Sequence, residues 1–248
     1  MEIYVAIPVG SAPALPPHLI PARIIYRVRG ARLYRARGAK SAQGGVAVVN
    51  TSEYTGGVPS AYLVSELAGE VEAANYGGVV LDTGGARLGA SPLQIAFANE
   101  LADAIAPRTV YVPEILGAQV PNACVLVQTA LSGGSLERHL SGALTRYGER
   151  VALECDRVRM DFALPSPSGF GAELDAAQFA ALAVGQRAYY SNSLCCNYFT
   201  YPDEISAPHI VLFDDAQTIK RKFALAETLG IGQAFLFYPH IADIIDSL

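Results

Sequence analysis

The sequence predicts a (β/α)8 barrel, the TIM-barrel form of the α/β class. Three observations carry this expectation. The length is 248 residues with no low-complexity break, the composition is 51% hydrophobic and only 17% charged, and short β-branched runs alternate with amphipathic helical stretches. That alternation is the pattern of parallel strands joined by crossover helices, and one domain spanning 1–248 is expected.

The strand-like runs are 3–8, 46–50, 78–82, 109–113, 124–129, 151–154, 209–213 and 234–238, not all of which need be barrel staves. The opening MEIYVAIPVG reads as a strand and lacks a basic segment followed by an apolar one, so no secretory signal is expected. No run of eighteen apolar residues predicts a membrane span. A cytoplasmic location, or spore association through assembly, is the expectation.

Between the strands, Ser60 is placed to cap a helix carrying Leu63, Leu67 and Val71, and Ser91-Pro92 to start one carrying Leu93, Phe97 and Leu101. Leu136, Leu140 and Leu144 repeat the spacing. Asp215 opens a helix with Ile219 and Phe223, Gly230 closes it, and Ile241, Ile244, Ile245 and Leu248 line a last short one.

One segment breaks the order. Ile25-Tyr-Arg-Val-Arg-Gly-Ala and Leu33-Tyr-Arg-Ala-Arg-Gly-Ala repeat at a period of eight, which reads as a β-hairpin turning at Gly30-Ala31, outside the regular βα order. Two barrel strands joined by a sharp bend is the competing reading. A two-residue turn sets Tyr26 opposite Arg35 and Arg27 opposite Tyr34. The chain has a net charge of −5, yet Arg23, Arg27, Arg29, Arg32, Arg35, Arg37 and Lys40 lie together without an acid, leaving eleven bases against 23 acids elsewhere, a net −12. Arg27, Arg29, Arg35 and Arg37 read as a patch for an anionic partner, or as a charged edge that blocks strand pairing.

The residues from Glu149 onward resemble a known family. Asp161-Phe-Ala-Leu164-Pro165 follows a strand, Tyr198-Phe199-Thr-Tyr201 forms an aromatic cluster, and His209-Ile-Val-Leu-Phe213-Asp214-Asp215-Ala216 precedes a helix. In order and spacing these are similar to the LysM-linked glycoside hydrolase family 18 enzymes of spore cortex peptidoglycan, although residues 1–50 hardly match and no LysM module is present. The resemblance implies a barrel in which Tyr76-Gly-Gly-Val-Val-Leu-Asp82-Thr83-Gly84 occupies the signature strand Gly-x-Asp-x-Asp-x-Glu. In that family the glutamate protonates the glycosidic oxygen, the preceding aspartate orients the substrate acetamido group, and that group's carbonyl is the nucleophile. Here Asp82 is retained and Gly84 stands in place of the glutamate. Ala130 stands in place of the tyrosine that supports the intermediate.

Other readings of the same residues are weaker. Asp82-Thr83-Gly84 mimics an aspartic protease motif, but that chemistry needs two such aspartates. The stretch from Gly84 to Gly89 follows a strand, where backbone amides hold anions, but lacks the Lys-Ser/Thr of a phosphate loop. Glu114, Glu53, Asp156 and Asp161 lie near strand ends, and Glu114 is the candidate relocated acid. His18, His139, His209 and His240 are scattered, and Cys124, Cys155, Cys195 and Cys196 have no ligand spacing, so neither metal nor cofactor is expected. No motif for nucleic acid accompanies the arginines.

The sequence thus supports three readings. The first is a catalytically inactive barrel binding glycan, of peptidoglycan or N-acetylglucosamine type, or a protein partner, through Asp82, Asp161, Tyr198, Phe199, Tyr201 and Tyr238. The second is a hydrolase with relocated carboxylates, and the third a scaffold with no ligand.

Overall fold

The computed structural model describes residues 1–36, 43–56, 60–84, 91–166 and 169–248. In chain order it holds β1 (Glu2–Pro8), β2 (Leu19–Gly30), β3 (Arg32–Arg35), β4 (Val46–Tyr54), α1 (Ser60–Ala73), β5 (Gly78–Asp82), α2 (Pro92–Ala104), β6 (Thr109–Pro113), α3 (Glu114–Gly117), β7 (Cys124–Gln128) and α4 (Leu136–Tyr147). There follow β8 (Val151–Glu154), β9 (Arg159–Ala163), β10 (Ala172–Glu173), α5 (Ala176–Ala183), β11 (Tyr189–Ser191), β12 (Cys196–Pro202), β13 (Pro208–Phe213), α6 (Ala216–Thr228), β14 (Gln233–Phe237) and α7 (Tyr238–Ile241).

Eight parallel staves, β1, β2, β4 to β8 and β14, close into a barrel, because β1 pairs with both β2 and β14. The strands alternate their side chains between two cores. Outward residues such as Val5, Val79, Val125 and Leu153 pack on the helices through Leu67, Phe97, Leu101, Leu140 and Phe223. Inward residues, among them Tyr4, Val80, Tyr111, Leu126, Ala152 and Phe235, fill the barrel itself.

The second stave differs from expectation. Residues 23–37 are not a hairpin outside the βα order: β2 pairs in parallel with β1 from Leu19 to Ile24 and with β4 from Ala22 onward. Pro21 and Arg23 disguise this stretch, since proline removes a ladder donor and a charge breaks the apolar run. Register shifts between Ile24 and Tyr26 and between Arg27 and Arg29 then bend the strand outward. Its far end does form the hairpin, with β3 in the register Tyr26 to Arg35 and Arg27 to Tyr34, and Gly30 at φ +59 supplies the turn. β3 lies against α1, where Tyr26 donates to Glu70 at 2.7 Å.

The run 209–213 is no stave either. As β13 it pairs antiparallel with β9 and β12 in a second sheet, of order β10-β9-β13-β12-β11, inserted between the seventh stave β8 and its helix α6. The insertion is tied down by Asp214, which accepts from Val158 N at 3.0 Å, Thr218 Oγ1 at 2.9 Å and Lys222 Nζ at 2.6 Å, all buried.

The helix starts follow the expected chemistry. Ser91 with Gln94 and Asp215 with Thr218 form reciprocal capping pairs, and Gly230 at φ +86 ends α6. Two details depart. Ser60 lies inside α1 and donates to Glu100 at 2.7 Å, and Leu93 is exposed while Phe97 and Leu101 are buried. The four cysteines are unpaired, and no described helix is long and apolar enough to cross a membrane.

Candidate functional site

Two residues beyond the inward layer, each stave places one more side chain at the C-terminal mouth. By stave these are Ala6, Ile24, Asn50, Asp82, Pro113, Gln128, Glu154 and Phe237. All but Asn50 line a cavity of about 340 Å³, together with Thr83 and Asp156. The Phe235 ring lines it, backed by two buried rings: it stacks on Tyr4 at 4.7 Å and meets Tyr111 edge-on at 4.8 Å. Active sites of such barrels lie at this end, so a hollow here is where a ligand is expected.

Asp82 is held from two sides. Asn50 Nδ2 donates to its Oδ2 at 3.0 Å and Gly84 N to its Oδ1 at 2.8 Å, while Thr51 donates to its carbonyl. Asn50 in turn accepts from Ser52 Oγ at 2.6 Å. Gly84 sits at φ +71, and a Cβ added there would lie 2.7 Å from Ser52 Cβ. The position therefore excludes side chains twice over, by backbone conformation and by contact.

Glu154 was not among the acids picked out from the sequence, although it ends the run 151–154. Burial pushes its carboxyl up to about 7, with help from the charges of Asp156 and Asp82, against a Gln128 hydrogen bond that favours the ionised form. Asp156 is also raised by burial, opposed chiefly by His240, whose Nδ1 lies 3.9 Å away. The signal that finds Glu154 is its spacing from Ala152. A residue two places beyond an inward alanine points inward as well.

A second hollow of about 320 Å³ adjoins the first. The two share Thr83, Pro113, Leu126, Gln128 and Glu154, and the outer one adds Glu114, Ala130 and His139. Glu114 pairs with Arg146 at 3.7 Å. Ala130 packs against the insertion, beside Val158 and Leu212.

The remaining predicted residues lie elsewhere. Asp161 accepts from Tyr201 at 2.8 Å and meets His209 Nδ1 at 3.0 Å, all on the second sheet. Tyr198 and Phe199 alternate on β12, so they face opposite sides: Tyr198 lies tilted against Tyr189 at 5.7 Å, while Phe199 is buried among Phe179, Phe213 and Tyr201. Tyr238 packs against the outer core, and its neighbour Phe237 lines the cavity. None of Asp161, Tyr198, Phe199, Tyr201 and Tyr238 is among the residues lining the mouth cavity.

The arginines are partly engaged. Arg27 and Arg29 reach Glu53 at 3.7 and 3.2 Å, and Arg35 reaches Glu70 at 3.7 Å. Arg37, Lys40 and the segment from Gly85 to Gly89 lie outside the described residues. No cluster of three or more possible metal ligands occurs among the described residues.

No protein-family model matches the sequence, and no curated protein matches it. Solved structures do match its fold. A glycoside hydrolase family 18 N-acetylglucosaminidase from Paenibacillus barengoltzii superposes with a TM-score of 0.69 at 13% identity, covering 99% of this chain and 98% of that one. The spore cortex-lytic enzyme SleL of Bacillus megaterium gives 0.62 at 14% identity, over 99% of this chain and 73% of that one. YKL-39, crystallised in the presence of chitooligosaccharides, gives 0.63 at 10% identity, over 95% and 92%. The fold is thus a (β/α)8 barrel of the glycoside hydrolase family 18 type.

Proposed function

We propose that this chain binds a glycan of N-acetylglucosamine type, such as a spore cortex peptidoglycan strand, in the mouth of its barrel, and that it does so without the family's acid. The observation that carries this is the cleft itself. Asp82 is anchored at the edge of an open hollow lined by the rings of Phe235 and Phe237, at the place where Gly84 excludes a side chain. A filled mouth would have favoured a ligand-free scaffold, and this one is hollow. Rings beneath and beside the cavity suit pyranose faces, and Asp82 and Gln128 suit hydroxyl and amide groups.

The fold neighbours support the choice of ligand, since one is an N-acetylglucosaminidase, one acts on spore cortex, and one was crystallised with chitooligosaccharides. Calorimetric titration with N-acetylglucosamine oligomers and cortex fragments tests the reading. Saturable heat that falls about tenfold in affinity for Asp82→Ala is expected, as loss of one buried hydrogen-bond partner costs ~1–3 kcal/mol. No heat up to millimolar ligand overturns it.

A further inference from the structure

We infer that Glu154 is the proton donor of a glycoside-hydrolysing step in this cleft, and that Asp82, on the facing wall, takes the proton of the attacking water. The inference rests on the glycan reading and goes beyond it, because it returns a chemistry that position 84 cannot supply.

Position is the first argument. Glu154 lines both hollows, so a sugar chain that runs from one into the other carries an inter-sugar linkage past its carboxyl. Leu126 and Gln128 flank the same junction. In the ring of eight staves, β8 and β5 are separated by two strands on one side and four on the other, which sets Glu154 and Asp82 on facing walls. Two carboxyl groups on either side of a linkage, one protonated and one not, are the requirement for hydrolysis with water as nucleophile.

Environment is the second. Around Glu154 stand Asp82 from β5, Asp156 just beyond β8, and, in the outer hollow, Glu114 from α3 and His139 from α4. His240 of α7 faces Asp156, and Glu114 is already paired with Arg146. Among the described residues, no lysine or arginine lines either hollow. Burial beside like charges holds the Glu154 proton on at pH values where an ordinary carboxyl has lost it, with an apparent midpoint of about 7. Asp82 has its two oxygens fixed by Asn50 and Gly84 N, one bond to each, and a carboxylate oxygen can accept a second.

The step balances. The Glu154 proton passes to the glycosidic oxygen as the C1–O bond breaks, the oxygen of one water bonds to C1, and that water's proton goes to Asp82. Solvent returns it to Glu154. One water is consumed and two sugar ends are released.

The test measures release of reducing ends from N-acetylglucosamine tetramer beside cleavage of a dinitrophenyl N-acetylglucosaminide, whose leaving group needs no proton. Wild type is expected to cut the tetramer slowly, with a rate that falls as pH rises through about 7. Glu154→Gln should lower the tetramer rate ~10²–10⁴-fold, while the dinitrophenyl substrate loses less than about tenfold and the pH limb disappears. Asp82→Asn should slow both substrates, and Glu154→Asp should keep part of the tetramer activity. Equal loss on both substrates in Glu154→Gln, or unchanged rates, overturns the assignment. If the tetramer binds but is never cut, Glu154 is not the donor and the glycan reading stands. If the tetramer neither binds nor is cut, both readings fall.

Discussion

Asn50 donates from Nδ2 to Asp82 Oδ2 at 3.0 Å, and the two residues are direct partners across the β4–β5 ladder. The bond fixes the Asp82 carboxylate from the neighbouring stave. Asn50→Ala should therefore weaken glycan binding while leaving the barrel folded, by a smaller factor than Asp82→Ala, since only one of the two side-chain bonds is lost. Titration of both variants with the same oligomer checks the order, and an Asn50→Ala loss larger than that of Asp82→Ala would contradict it.

Placing a glutamate at position 84 should fail to add activity. Gly84→Glu forces a side chain into φ +71 and against Ser52 Cβ at 2.7 Å, so a loss of about 1–3 kcal/mol in urea unfolding is expected, with no gain in hydrolysis. Pairing it with Ser52→Gly should recover part of the stability, as that substitution removes the obstructing carbon.

The raised carboxyl of Glu154 ties stability to pH. Burial, then Asp156, lifts it to about 7 from 4.5, so between those values the folded chain binds more protons than the unfolded one, and stability falls as pH rises. The contribution is fully present below about 4.5 and lost above about 7. Glu154→Gln removes that dependence and should gain on wild type by ~2–3 kcal/mol between pH 4.5 and pH 8.5. Parallel denaturation curves at the two pH values measure the difference, and an unchanged gap would refute the linkage.

The buried pair of Lys222 and Asp214 anchors the inserted sheet to α6. Burial is the largest single effect and acts to lower the Lys222 pKa, but the charge and hydrogen bond of Asp214 at 2.6 Å, with Cys155 and Cys196, together outweigh it and the net direction is upward. Lys222→Met leaves Asp214 buried without its cation, and a loss of about 3–5 kcal/mol is expected. Thermal unfolding reads it, and a shift under a degree would mean that Thr218 and Val158 suffice.

Much of the fold is legible in alternation alone. The runs ending at Asp82, Pro113 and Glu154 are strands with those ends, because one sheet face is packed inside the barrel and the other under helices. The second stave was not legible, since Pro21 and Arg23 interrupt its apolar pattern and its pairing is set by neighbours far along the chain. Similar limits apply to the site. Asp82 was singled out through a motif, and the structure places it at the mouth. Glu154 belongs to no motif, and only the register of β8 against the barrel interior brings it to the mouth. Tyr198 and Phe199, adjacent in sequence, were grouped as one surface, yet strand geometry sends adjacent residues to opposite faces.

The ring of eight mouth residues has an evolutionary consequence. Each position is carried by a different stave, and the layer beneath it, from Tyr4 round to Phe235, holds the barrel together. A substitution in the ring therefore changes what the protein offers a ligand while leaving its foundations alone. A side chain at one compass point of the rim can be exchanged without moving the backbone that carries the other seven.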